Sequence, residues 1–161
     1  MSSKIKYKPI GTIHSPYETI EGMPIQPTGA KGVKGSLKID EEYLEGLKDL
    51  DGFSHIIILY HFHRCEGFQL TVKPFLDKQE RGLFSTRAPK RPNPIGLSIV
   101  KLLDVEGNTV KVEDIDVLDG TPLLDIKPYV PEFDHREVEM TGWLSKSAEK
   151  VTEKRSDERF R

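Results

Sequence analysis

The sequence predicts a mainly-β protein, a small closed β-barrel with short peripheral helices, and three observations carry that expectation. Short alternating or β-branched runs outnumber helical patterns along the 161 residues. Eleven prolines and thirteen glycines punctuate those runs, which suits many short strands closing on themselves better than alternating strand and helix units. No G-x-G-x-x-G string follows a first strand, so a Rossmann-type nucleotide fold has no support.

The elements follow in order. In residues 33–39, Val33, Gly35, Leu37 and Ile39 alternate with Lys34, Ser36 and Lys38, the period of a strand with one buried face. A short helix is expected next: Asp40 stands as N-cap, Glu41 and Glu42 suit the first turn, Tyr43, Leu44, Leu47 and Leu50 form the apolar stripe, and Gly52 lies beyond the end. Residues 53–62, FSHIIILYHF, read as a strand covered on both faces at the centre of the core. Further strands are expected at 70–72, 83–85, 95–103, 109–112 and 114–118, with Glu106, Gly107 and Asn108 as a tight turn between two of them. The segment from Ser147 onward is densely charged with few apolar positions, the pattern of a solvated helix or frayed end. The expected division is a barrel domain over 1–145 and a charged tail over 146–161.

Composition bounds the functional classes. The length suits one domain with one core. A formal charge of −2 argues against wholesale polyanion binding, so any nucleic-acid contact must come from a local basic cluster. Cys65 is alone, the N-terminus lacks the apolar run of a secretory signal, and residues 56–60 are too few to span a bilayer. A cytoplasmic protein with no membrane segment is the expectation.

Residues 84–98, FSTRAPKRPNPIGLS, concentrate the chemistry. Pro89, Pro92 and Pro94 fix their own φ and hold Ala88, Arg91 and Asn93 extended, which gives a rigid loop. Such a loop offers backbone groups to a flat ligand at low entropic cost, and Arg87 or Arg91 can fork onto a carboxylate or phosphate. Between residues 81 and 103 there are five basic side chains, Arg81, Arg87, Lys90, Arg91 and Lys101, and no acidic one, the pattern of a phosphate-backbone patch. The competing reading is a proline-stiffened connector with solvated cations. His61, His63 and Cys65 invite a zinc reading, but a fourth ligand at suitable spacing is missing, and no metal is expected.

The string TR followed by RPNPIGLS, then VLDGTPLLDIKPYVP at 117–131, resembles the two signature segments of the TsaA/YaeB-like tRNA methyltransferases. IGTIHSPY at 10–17 is similar to that family's opening strand, PIQPTGAKG at 24–32 to its first ligand loop, and GLKDLDGFSHIIILYHFHR at 46–64 to its central strand and the turn beyond. The resemblance covers roughly the first 145 residues of the chain. It implies a non-Rossmann β-barrel methyltransferase that uses S-adenosyl-L-methionine, forms a homodimer with the cofactor near the subunit interface, and methylates N6 of N6-threonylcarbamoyladenosine at position 37 of tRNA. The additional C-terminal domain of the longer bacterial members is expected to have no counterpart here.

By the same resemblance Gln26, Pro27 and Thr28 line one side of the cofactor, His63 and Arg64 another, Arg87 and Leu97 the signature loop, and Asp119, Gly120, Thr121 and Pro122 close the site. These types suit the ligand: Asp119 can take ribose hydroxyls or the ammonium, Arg87 the carboxylate, and Leu97 the adenine face, while Gly120 permits close backbone approach. Residues 119–122 alone would equally make a plain β-turn. Asp125 is the candidate base or orienting group, with Lys127 and Tyr129 toward the target nucleotide; an ion pair and a half-buried tyrosine are the alternative. Lys90 and Arg91 are the candidate contacts to the anticodon stem-loop backbone. The rival function from another class is a non-catalytic barrel that binds S-adenosyl-L-methionine or a nucleotide and senses it.

Overall fold

Alternating apolar side chains need a second surface to cover them, and six strands of this chain meet that need by closing on one another. The computed structural model describes residues 3–21, 23, 27–74 and 77–146. Its strands are β1 (Gly11–His14), β2 (Lys34–Ile39), β3 (His55–His61), β4 (Thr71–Val72), β5 (Arg81–Gly82), β6 (Ile95–Glu106), β7 (Thr109–Glu113) and β8 (Thr121–Pro128). The closed barrel runs β1-β2-β7-β6-β3-β8, with every neighbour antiparallel, and β4 and β5 form a separate two-stranded sheet. Closure leaves the barrel strands with no unpaired edge.

The barrel interior is filled by Ile13, Leu37, Ile56, Ile58, Val100, Val110, Val112, Ile115 and Leu123, all fully buried. Val72, Leu83 and Ala88 make a small second cluster under the β3 to β6 connection. Gly96 on β6 stands opposite Tyr60 on β3, and a Cβ there would run into the Tyr60 ring and come within 2.8 Å of Phe62 Cζ. The glycine that ends the proline-rich loop is therefore required by packing.

Several expectations are corrected. Strand β3 is buried on one face only: Ile56, Ile58 and Tyr60 point inward, while His55, Ile57, Leu59 and His61 are half-buried on the outer wall. The expected helix after Asp40 is two 3-10 segments, Glu41–Leu47 and Leu50–Gly52, separated where Asp49 adopts a left-handed φ of 67°. Asp40 makes no side-chain capping bond. Leu83–Ser85 is a 3-10 turn, and β5 ends just before it.

The expected strand at 114–118 is instead a buried crossing segment. Asp114 turns with φ 68°, and Ile115, Asp116, Val117 and Leu118 are all buried in succession, closing the barrel end. The eighth strand, Thr121–Pro128, was concealed by its two prolines and by the turn chemistry just before it. The turn at Gly107 and Asn108 joins β6 to β7 as expected, with Gly107 at φ 60°. Of the expected charged tail, 146–161, residues 147–161 lie outside the described residues.

Candidate functional site

Antiparallel closure sorts the connections between two rims. The ends of β1, β3 and β7 and the starts of β2, β6 and β8 share one rim, so the connections 15–33, 62–94 and 114–120 all leave from it. These three connections carry most of the residues expected at the site.

Their bases are tied to one another. The Asp119 amide donates to Tyr17 O at 2.7 Å and the Gly120 amide to Ile13 O at 2.9 Å. Asp119 in turn accepts from the Ser15 amide at 3.0 Å, with His14 Nδ1 at 3.3 Å from the same oxygen. The Gly32 amide donates to the Asp114 carboxylate at 2.7 Å, and the Phe62 amide to Pro94 O at 2.8 Å. Gly120 sits at φ 82°, where a side chain would be strained, so the 119–122 segment does contain a turn. That turn then runs directly into β8.

Around this rim the structure gathers Asp119 and Gly120 of one connection with Pro122 at the start of β8, His63, Arg64 and Arg87 of the second connection, and Leu97 near the start of β6. An open cleft of about 410 Å³ is lined by His63, Arg64, Glu66 and Lys90. Burial, then the nearby Arg64 and His61, push the His63 pKa down, which favours the neutral imidazole and leaves a ring nitrogen able to accept. Pro27 and Thr28 open a 3-10 turn, Pro27–Ala30, beside β6; Gln26 lies outside the described residues.

Two of the expected site residues are also engaged within the protein. Thr121 is buried, and its hydroxyl donates to Leu118 O at 2.6 Å, so its side chain ties the turn. Arg91 donates from one guanidinium nitrogen to both Thr86 O and Ala88 O at 3.0 Å and lies over the Phe84 ring at 5.9 Å. It clamps the loop that the prolines stiffen. Trp143 adds a further strap: its indole N–H donates to Ser85 O at 2.8 Å, and Arg81 lies over its ring at 5.7 Å.

The basic run is thereby divided. Arg81 pairs with Asp77, Lys101 stands on the wall 3.8 Å from Glu113, and Arg91 serves the loop, while Lys90 faces the cleft with Arg64.

Asp125 stands on the outer wall level with Leu97, and Lys127 and Tyr129 lie successively farther from the rim. A register shift between Leu59 and Tyr60 sets Leu123 opposite Tyr60 but Asp125 opposite Leu59, so the bulge turns Asp125 to the outer wall. Lys127 lies 2.8 Å from Asp125, and this contact raises its pKa. Tyr129 packs edge-on to His55 with ring centroids 6.5 Å apart. At about 3.3 Å per residue, Tyr129 stands roughly 25 Å along β8 from the rim. Leu97, Leu59 and Asp125 form one row across this wall, next to the row of Ile99, Ile57 and Lys127.

Sequence reasoning missed Ser98 and Asp116. Both are buried and polar, with Ser98 Oγ donating to Asp116 Oδ1 at 2.6 Å and Tyr60 Oη 2.8 Å from Ser98 Oγ. Burial pushes the Asp116 carboxyl up to about 7, against the opposing effects of the Ser98 bond and the Arg87 charge. A polar residue repeated within apolar runs, Ser98 in IGLSIV and Asp116 in DIDVL, was the available signal. Among the described residues no group of three His, Cys, Asp or Glu side chains is placed to hold a metal ion. No helix among them is long and apolar enough to cross a membrane.

A closed antiparallel barrel that gathers an acceptor, several cations and an exposed apolar residue at one rim is a binding barrel for a small polar, nucleotide-like ligand. The chain belongs to the tRNA-methyltransferase O N-terminal domain family, whose sequence model matches residues 12–135. It is 52% identical to a probable S-adenosyl-L-methionine-binding protein of Pyrococcus abyssi, over 97% of this chain and 85% of the relative. It is 37% identical to the tRNA (adenine(37)-N6)-methyltransferase of Escherichia coli, over 80% of this chain but 59% of that protein. The crystal structure of TrmO from Pseudomonas aeruginosa matches with a TM-score of 0.74 and 35% identity, covering 88% of this chain and 63% of that one. The chain thus spans about three fifths of the length of these bacterial proteins.

Proposed function

We propose that this protein is an S-adenosyl-L-methionine-dependent methyltransferase that modifies N6 of adenosine 37 in tRNA, with N6-threonylcarbamoyladenosine as the acceptor. The observation that carries this reading is the convergence of the two signature segments, at Arg87 to Leu97 and Asp119 to Pro122, on one rim of a barrel of the TrmO family. The donor set fits the cofactor. Asp119 is a partly exposed acceptor for hydroxyl or ammonium, Arg87 and Arg64 are cations for a carboxylate, and Leu97 is an exposed apolar surface for a purine.

When bound, S-adenosyl-L-methionine supplies an electrophilic methyl group on a sulfonium. The protein's contribution is chiefly to hold donor and acceptor in line, which suits loops locked at their bases by backbone hydrogen bonds. His63 in its neutral form is positioned at the cleft to accept a proton or a hydrogen bond. Lys90 holds the RNA backbone at the same cleft, and Arg91 supports it by keeping the loop in shape.

The protein acts in the cytoplasm as a homodimer. Support for the dimer comes from the outer wall of β3 and β6, where Ile95, Leu97 and Ile99 are each more than a third exposed beside Ile57 and Leu59. A second copy on this wall would cover that surface and bring the partner's rim toward Asp125 and Lys127, which gives these two residues their part in the site.

The test is transfer of labelled methyl groups from S-adenosyl-L-methionine to tRNA with and without the threonylcarbamoyl group. Incorporation is expected only with the modified tRNA. No incorporation into either, despite cofactor binding, overturns the catalytic reading. It would favour a cofactor-sensing barrel, a reading supported by relatives described only as S-adenosyl-L-methionine-binding proteins.

A further inference from the structure

We propose that Asp116 is a positioning residue for cofactor binding, which through Ser98 locks the Leu97 strand to the Asp119–Pro122 turn and sets a negative charge within reach of Arg87. This rests on the cofactor assignment above and adds a residue that touches no ligand.

The hydrogen-bond chain has a direction. A hydroxyl carries one proton, and the Ser98 hydroxyl gives its proton to Asp116, so the Tyr60 hydroxyl donates to Ser98. Tyr60 and Ser98 are inward residues of the adjacent strands β3 and β6, whereas Asp116 lies on the crossing segment at the barrel end. One chain of three buried groups therefore joins two strands to the third rim connection. Its ends adjoin the site: Ser98 follows Leu97, and Asp116 comes three residues before Asp119.

A buried carboxylate is costly, and a hydroxyl pair alone would tie β3 to β6 without it. What the carboxylate adds is a negative charge within electrostatic reach of Arg87. The guanidinium favours the ionised forms of both Asp116 and Tyr60, which places it within electrostatic reach of the chain from the outside. Asp116 thus bonds Ser98, which bonds Tyr60, and the charge nearest in effect is Arg87 of the proline-rich loop. With Asp116 charged, Arg87 is restrained toward the barrel end. With it protonated, that restraint is lost and only the hydroxyl chain remains. Burial sets the changeover at about pH 7.

The test measures S-adenosyl-L-methionine binding by calorimetry from pH 6 to 8.5 for the wild type, Asp116→Asn and Ser98→Ala. The wild type is expected to bind more tightly above the changeover than below it. Asp116→Asn should bind roughly tenfold more weakly at pH 8 and lose that pH-dependent component, in keeping with removal of one charge-assisted contact. Ser98→Ala should weaken binding while keeping the pH dependence, because Asp116 still faces Arg87. His14 and His63 share the rim, so only the component absent from Asp116→Asn is assigned to Asp116. Wild-type-like affinity and profile in Asp116→Asn overturn the inference alone; absence of cofactor binding by the wild type overturns it together with the proposed function. Should Asp116→Asn fail to melt cooperatively, Ser98→Ala decides, and unchanged binding there overturns the proposal.

Discussion

The two rims of the barrel are made by the same six strands and do different work. At one rim the connections 15–33, 62–94 and 114–120 interlock and carry the signature residues. At the other, β6 turns into β7 through Gly107 and Asn108, and β2 reaches β3 through two 3-10 segments. That rim is secured by backbone contacts such as the Ile39 amide to Asn108 O at 2.8 Å. The ladder between the rims satisfies its own hydrogen bonds, so its stability does not depend on long connections, and chemistry is concentrated where the connections are long.

The strongest way to break this contrast is to damage what both rims share. Ile58 is fully buried between them, and Ile58→Ala should cost about 2–5 kcal/mol, read as a lower urea midpoint and loss of cofactor binding together. Arg87→Ala should separate the rims: cofactor affinity falls roughly tenfold or more, with the melting temperature nearly unchanged. On the opposite rim Gly107→Ala should do the reverse, costing about 1 kcal/mol because its φ of 60° strains any side chain, while cofactor affinity is retained. The wall can be tested with Ile99→Asp, expected to shift sedimentation from dimer to monomer without unfolding the barrel. A monomeric wild type would refute the proposed homodimer.

A pH measurement sharpens the same comparison. The Asp116 carboxyl rises from 3.8 to about 7 in the fold, so the native state keeps a proton that the unfolded state releases. The stabilisation from this group is complete below about pH 4 and is lost progressively as pH rises toward about 7. The stability of Asp116→Asn relative to the wild type should therefore increase across that window and level off above it. A constant difference in urea midpoints would contradict the buried-carboxyl assignment.

Much of the barrel was readable from residue pattern alone. Leu37 and Ile39, and the run from Ile56 to Tyr60, declared buried strand faces because side chains alternate along a strand. The outer wall was not readable, since Ile57, Leu59, Leu97 and Ile99 are as apolar as the interior residues beside them. Likewise the run 114–118 looked like a strand because consecutive burial in a crossing segment leaves the same apolar signature.

The sequence by itself determined the class of fold, the stiff proline-rich loop and the family signatures, because these depend on local conformational limits and on contiguous strings of residues. Tertiary structure alone decided that Arg91 clamps the loop, that Asp125 faces outward across a bulge, and that Ser98 and Asp116 meet inside the barrel. The Arg91 clamp depends on how the loop folds back on itself, whereas the placements of Asp125 and Ser98 depend on register between strands distant in the chain. Register is set by the closed barrel as a whole, and a shift of one residue would turn Ser98 and Asp125 to the opposite face.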